Sequence, residues 1–134
     1  MPAPYTHKKL TDVKDIAPDF GLGDFQAVRF ASSDLETEDT GLAHQHIKPG
    51  KRPPLAHKHE NAEEVYVVIA GSGRLKVDDD ILDVEQLDAI RVAPSAMRAW
   101  QAGPDGLDVL AFGPRHEGDG EILKGEEATA WWGD

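Results

Sequence analysis

One stretch of the chain, residues 49–71, decides the fold and reads PGKRPPLAHKHENAEEVYVVIAG. It starts with a Pro-Gly turn, continues through a His-x-His pair formed by His57 and His59, and ends in the apolar run VYVVI before an alanine and a glycine. Side chains two residues apart in a strand point to the same face, so this pair presents two imidazoles side by side. Glu64 opens the apolar run, which predicts a carboxylate on the strand that adjoins the two imidazoles.

Short apolar runs between turn residues continue through the rest of the chain, which contains 13 glycines and nine prolines. The runs predict strands at residues 25–31, 41–47, 64–70, 73–77, 81–84, 88–92, 98–101 and 107–112. We interpret Gly-Ser-Gly at residues 71–73 as a hairpin turn and Gly-Pro-Asp-Gly at residues 103–106 as another turn. Many short strands and little helix predict an all-β fold, a sandwich or barrel of the jelly-roll type.

The regular part of the sequence predicts one barrel over residues 25–113. Residues 1–24 and 114–134 are less regular, and we interpret them as an N-terminal arm and a C-terminal tail that pack on the barrel or on a partner subunit. The tail ends with two adjacent aromatic residues, Trp131 and Trp132. Each has a large apolar area to bury, so we expect both to dock on the barrel or on a neighbouring subunit.

The composition narrows the class of protein. A length of 134 residues favours a single domain, and the absence of cysteine gives no sign of an oxidising compartment. Neither a signal peptide nor a membrane-spanning apolar run is visible, so we predict a soluble, cytoplasmic protein. The formal charge of −11 repels phosphate backbones and anionic lipids, which argues against nucleic-acid and membrane partners.

The donor atoms of His57, His59 and Glu64 predict a site for a divalent metal, with Fe, Mn, Zn or Ni as the metals that accept such ligands. Two imidazoles and one carboxylate leave coordination positions open for a substrate or for oxygen. A second His-x-His pair, His44 and His46, lies on the preceding predicted strand. The sequence does not tell which face of that strand the second pair occupies.

The stretch that contains these donors resembles the first conserved motif of the cupin superfamily, in which a glycine, a His-x-His pair, a glutamate and a second glycine follow in order. Four residues separate His59 from Glu64 and six separate Glu64 from Gly71, as in that motif. The interval from Gly50 to His57 is one residue longer than usual. The resemblance implies a double-stranded β-helix, or jelly-roll, barrel and assigns the three donors as metal ligands. Glu63 is the alternative if the register differs by one residue.

The second cupin motif is degraded at residues 87–98, which read LDAIRVAPSAMR. Asp88 and Pro94 match the family pattern, whereas Leu87 and Ser95 replace its glycines and Arg98 replaces its ligand histidine. A guanidinium has no lone pair and cannot coordinate a metal. The resemblance therefore predicts three metal ligands and an arginine in place of the fourth.

Arg98 leaves three interpretations open. In the first, the metal is retained and Arg98 binds a substrate carboxylate, enolate or phosphate in the same cavity, with His44 or His46 available to replace the missing ligand. In the second, Arg98 pairs with Glu64, and the barrel binds a small ligand or acts as an isomerase without metal. In the third, Arg98 lies at the barrel rim and pairs with a surface acid.

The parity of the strand after Glu64 predicts that Tyr66 and Val68 face the barrel interior. Tyr66 is therefore a candidate, with Arg98, to contact a ligand, and core packing is its alternative role. Val65, Val67 and Ile69 face the other way, which predicts a cover over that face and favours a homodimer.

The resemblance implies a small-molecule ligand but no single activity, because this fold hosts many functions. We predict metal-dependent oxygenation, decarboxylation or isomerisation of a small acidic or sugar-like substrate. The alternative is a non-catalytic and metal-free module that binds or senses a small ligand.

Overall fold

The computed structural model describes residues 3–115 and 119–134 and is built mainly from β-strands, which confirms the predicted all-β class. The strands are β1 (Gln26–Phe30), β2 (Thr40–Ile47), β3 (Leu55–His59), β4 (Glu64–Val77), β5 (Asp80–Glu85), β6 (Ala89–Val92), β7 (Arg98–Pro114) and β8 (Gly120–Lys124). The helical segments are short: 3-10 turns at Leu10–Asp12 and Ala17–Phe20, α1 (Ser32–Leu35) and α2 (Gly125–Trp132). No helix in these described ranges is long and apolar enough to span a bilayer.

Two long antiparallel strands, β4 and β7, organise the sheet. The second half of β7 also pairs with β2, whereas its first residue pairs with β3 through the register pair His57–Arg98. The strand order is β1-β2-β7-β3-β8. Strand β4 lies outside this order and pairs with β7, β5 and β6. Strand β3 ends at His59, β4 begins at Glu64 and β7 begins at Arg98. The sheet brings the side chains at these three strand ends to one place inside the barrel.

Two predicted turns lie inside continuous strands, so the interpretation of residues 71–73 as a hairpin turn was wrong. Gly71 pairs with Leu107 and Gly73 with Ala102, and residues 103–106 bulge out between these two partners. Gly71 has a φ of 77°, and a Cβ atom there would collide with the carbonyl oxygen of Gly106. The close approach of two backbones at a bulge therefore requires this glycine.

Two of the strands, β3 and β8, are absent from the strands that the apolar runs predict. The polar residues of β3 follow two prolines, so its five residues lack the apolar run that marks a strand. Strand β8 lies beyond residue 113, in the predicted tail, and pairs with β3 over its whole length. The segment after residue 119 thus completes the edge of the sheet beside the His-x-His pair.

The barrel interior is filled by apolar side chains from both halves of the sheet. The buried cluster consists of Ile47, Tyr66, Val68, Leu75, Val84, Val92, Trp100, Ala102, Leu107 and Val109. Tyr66 and Val68 face inward, as the strand parity predicts, whereas Val65 and Ile69 remain 36% exposed on the outer face. The homodimer that would cover this outer face stays a prediction.

Helix α2 docks its aromatic residues on the barrel, which confirms the expectation for the two tryptophans. Trp132 is buried against Ala56 and Ala99, and Trp131 packs at the edge of the same cluster. The ammonium group of Lys76 donates hydrogen bonds to the carbonyl oxygens of both tryptophans, at 2.5 and 3.2 Å. The end of the chain is therefore fixed on the barrel, and neither tryptophan lines the cavity that contains His57, His59 and Glu64.

The close backbone contact at Gly71 leads to a testable prediction about stability. We expect Gly71→Ala to lower the free energy of unfolding by about 3 kcal/mol, since the added Cβ collides with backbone and adopts an unfavourable φ. Gly50→Ala is the matched control, because Gly50 has a φ of 69° but nothing within 4 Å of its Cβ position. The control should lose about 1 kcal/mol. Urea denaturation measures both values, and equal losses would show that the close backbone contact does not matter.

Candidate metal centre

Strands β3 and β4 bring together the three predicted donors. The Nε2 atoms of His57 and His59 lie 3.2 and 2.9 Å from Oε1 of Glu64. One ligand atom from each residue lies within 4.8 Å of the other two. Within residues 3–115 and 119–134, no other group of three or more His, Cys, Asp or Glu side chains meets this criterion. The donor set is therefore assembled as the His-x-His spacing predicts.

A buried aspartate that sequence reasoning missed, Asp119, holds the loop between the two strands. Its carboxylate accepts hydrogen bonds from the backbone N–H groups of Glu60, Asn61 and Ala62 at 2.8–3.1 Å. Its Oδ2 atom lies 3.6 Å from Nδ1 of His59, an imidazole nitrogen that is buried without a hydrogen-bond partner. A carboxylate behind a metal-binding imidazole orients the ring and selects its tautomer. No sequence signal distinguishes Asp119 from the other acids of the predicted tail.

Arg98 points into the barrel and forms an ion pair with the carboxylate of Glu64. Its Nη2 atom lies 2.7 Å from Oε1 of Glu64, and its Nε donates to the hydroxyl of Tyr66 at 3.1 Å. Its Nη1 donates to the carbonyl oxygens of Ala96 and Pro94 at 2.8 and 3.3 Å. The side chain is 0% exposed. The pairing of the second interpretation is therefore present, and the rim placement of the third is wrong.

The hydrogen bonds that Arg98 makes to the protein limit its capacity to bind a ligand. Its five N–H groups donate to Glu64, Tyr66, Ala96 and Pro94, which leaves at most one N–H, on Nη2, for a substrate. Direct binding of a substrate by Arg98 stays a prediction. Arg98 instead positions the carboxylate of Glu64. The predicted contact between Tyr66 and a ligand also stays a prediction.

Tyr66 bridges the ion pair. Its hydroxyl donates to Oε1 of Glu64 at 2.8 Å and accepts from Arg98, while its ring packs edge-on against Trp100 at 5.2 Å between centroids. Burial, together with the charge of Glu64, raises the pKa of Tyr66 far above its ordinary value. The hydroxyl therefore remains a proton donor at physiological pH.

Hydrogen bonds and charges around Glu64 keep its carboxylate ionised, whereas burial favours the neutral form of His59. Burial by itself would raise the pKa of Glu64, but the hydrogen bond and charge of His57, the hydroxyl of Tyr66 and the charge of Arg98 hold it at about 2. Burial lowers the pKa of His59 below its ordinary value, against the opposing effect of Glu64. A neutral imidazole has a lone pair for a metal, and an ionised carboxylate is the anionic ligand.

The second His-x-His pair lies on the other face of its strand, so its proposed role as replacement ligand was wrong. Ala43 and Gln45 of β2 line the cavity that contains the donors, and the alternation of the strand turns His44 and His46 outward. Both outward imidazoles contact Oδ1 of Asp108, at 3.0 and 3.1 Å.

A family model described as a cupin domain matches residues 43–103. No curated protein matches the chain by sequence. The fold is similar to the polyketide cyclase RemF from Streptomyces resistomycificus, with a TM-score of 0.76, 19% identity, and coverage of 96% of this chain and 93% of that one. It is also similar to cupin protein BF4112 from Bacteroides fragilis, with a TM-score of 0.69, 18% identity and 92% coverage of both chains.

Oxalate decarboxylase from Bacillus subtilis, in a structure at pH 4.6, gives a TM-score of 0.73 at 19% identity. The match covers 91% of this chain and 33% of that enzyme, so the chain spans about a third of its length. Identities this low show the fold alone. The predicted double-stranded β-helix barrel is confirmed by these comparisons.

The buried ion pair between Arg98 and Glu64 leads to a prediction about stability. The exposed pair between Arg91 and Glu63 serves as its control. We expect Arg98→Met to lower the free energy of unfolding by about 3 kcal/mol, because it leaves the carboxylate of Glu64 without its cation. Arg91→Met is the control, since the Arg91–Glu63 pair is exposed and 3.7 Å long, and it should cost less than about 0.5 kcal/mol. Urea denaturation in the presence of a chelator excludes any contribution from metal. Similar losses in the two variants would contradict the structural role of Arg98.

Proposed function

This chain belongs to the cupin superfamily through the cupin domain at residues 43–103, and from that premise we propose that it is a metal-dependent cupin that acts on a small molecule. The observation that carries the proposal is the convergence of His57, His59 and Glu64 on one point in the cavity. The metal is a divalent Fe, Mn, Zn or Ni ion. The chemistry is oxygenation, decarboxylation or isomerisation of a small acidic or sugar-like substrate.

Crowding around one oxygen atom supports the fit of a metal. Oε1 of Glu64 is contacted by Arg98 and Tyr66, and the imidazoles of His57 and His59 also lie within 3.2 Å of it. Four hydrogen-bond donors exceed what one carboxylate oxygen accepts well. A divalent cation among the three ligands suits this arrangement, because the imidazoles then use their lone pairs and no longer compete as donors.

The residues of the chain have separate tasks in this proposal. A bound metal supplies Lewis-acid polarisation of a substrate oxygen. His57 and His59 would be the imidazole ligands, and Glu64 would be the carboxylate ligand. Tyr66 keeps its proton and holds the carboxylate from one side, while Arg98 holds it from another. The acid and its two partners thus stay in one orientation before any substrate arrives.

A second function has one specific observation in its favour. The 2.7 Å contact between Arg98 and Glu64 already neutralises the carboxylate without a metal. In this alternative the barrel is a metal-free module that binds a small ligand, and His57 and His59 are polar groups of its cavity. Metal content separates the two functions.

Metal binding should depend on the inward His-x-His pair and not on the outward one. We expect the protein, purified without a chelating tag and reconstituted with Fe, Mn, Zn or Ni, to bind one of them at about one ion per chain. His59→Ala should weaken this binding by about a hundredfold or more, whereas His46→Ala should leave it unchanged. Elemental analysis after dialysis measures the ratio. Metal-free protein after every reconstitution would reject the metal-dependent function and favour the alternative.

Catalysis requires its own measurement. We expect the metal-loaded protein to convert a member of a panel of small carboxylic and sugar acids, with products identified by mass spectrometry. Glu64→Gln keeps the size of the side chain but removes the anionic ligand, so it should reduce the rate by about a hundredfold. A panel that binds to the metal-loaded protein without any product would favour a binding or sensing role.

A further inference from the structure

The cavity that contains the donors adjoins a second cavity. The inner cavity has a volume of about 280 Å³ and the outer one about 430 Å³. They share five lining residues: Gln26, Val28, Phe30, Leu55 and Ile122. We call these two adjoining cavities the channel. It runs from the three donors, past β1 and β8, to the 3-10 turn Ala17–Phe20.

The wall of the channel is mainly apolar, and large apolar side chains surround its mouth. Phe30 and Ile122 line both cavities yet are 58% and 51% exposed, and Phe20 at the outer end is 67% exposed. An isolated exposed hydrophobic residue has no special meaning, but several around the mouth of a cavity with convergent polar groups mark a ligand site.

Few polar groups of the channel are free to bind a ligand. Gln45 donates to Gln26 at 2.5 Å, so these two amides partly satisfy each other. Arg98 donates to four protein acceptors, which leaves at most one of its five N–H groups for a ligand. A sugar buries many hydroxyl groups, each of which needs a partner. The mainly apolar lining of the channel offers few such partners, and its lysine, Lys124, lines only the outer cavity.

We propose that the ligand of this site is an apolar molecule with a single acidic oxygen head. The head lies at His57, His59 and Glu64, and the apolar body fills the channel beside Phe30 and Ile122. This inference rests on the proposed function and selects the acidic substrate over the sugar-like one. The chain's charge of −11 supports a single negative charge, because it repels polyanions most strongly.

Three acids test the ligand class by isothermal titration calorimetry: naphthalene-2-carboxylate, glucuronate and oxalate. Each is titrated into metal-loaded protein and into chelator-treated protein. We expect naphthalene-2-carboxylate to bind about tenfold more tightly than the other two in the metal-loaded form. Removal of metal should weaken this binding without abolishing it, since the apolar wall remains.

Two variants locate the bound probe. Phe30→Ala and Ile122→Ala should each weaken the binding of naphthalene-2-carboxylate by about fivefold, because each removes apolar contact area. Ile81→Ala is the matched control: Ile81 is 43% exposed on β5, away from the channel, and its loss should change nothing. Analytical ultracentrifugation of the same variants tests whether a second copy of the chain covers the channel.

The outcomes separate the ligand class from the metal. Binding of glucuronate or oxalate as tight as that of naphthalene-2-carboxylate, no binding of the aromatic acid, or equal binding by the two channel variants and the control would each overturn the inference. A change of oligomeric mass in Phe30→Ala or Ile122→Ala would also overturn it, in favour of a subunit contact. If the protein holds no metal but binds the aromatic acid through Ile122, the ligand class stands and the metal-dependent function fails.

Discussion

The ion pair between Glu64 and Arg98 connects the first residue of β4 to the first residue of β7, and most of the site depends on it. Transfer of two charges into a barrel is costly, and it is tolerated only with short contacts and further hydrogen bonds. Arg98 has both, through Glu64, Tyr66 and backbone carbonyls. A shift of either strand by one residue would turn one charge to the opposite face, so the pair specifies a single register of β3, β4 and β7.

This arrangement gives one carboxylate both a structural and a chemical task. In a site with a fourth neutral ligand, the charge of the glutamate is available to the metal. Here the guanidinium of Arg98 already cancels that charge, so a divalent metal would leave the site with two positive charges. Three such ligands beside a guanidinium would hold a metal more weakly than four ligands would.

The sequence was sufficient to predict features that depend on the alternation of side chains over a few residues. The parity of His57, His59 and Glu64 predicts a convergent donor set, and the structure brings the three together. Alternation along a strand tells which residues share a face, but it does not tell which face lies inside the barrel. The outward direction of His44 could therefore be seen only in the folded sheet. Asp119 and β8 were missed for a related reason, since their partners are about 60 residues away along the chain and pair only through folding.

A divalent metal would make this site net positive inside an acidic protein, which would affect which ligands enter it. The surface lowers the local concentration of anions, and it does so most for those with several charges. With a metal bound inside the barrel, an anionic oxygen of the ligand would offset part of the excess positive charge that Arg98 and the metal create together. The apolar walls along the channel would contribute the rest of the affinity, because burial of apolar area does not depend on charge. An arginine at position 98, where the cupin motif has a ligand histidine, would thus affect the choice of ligand as well as the binding of a metal.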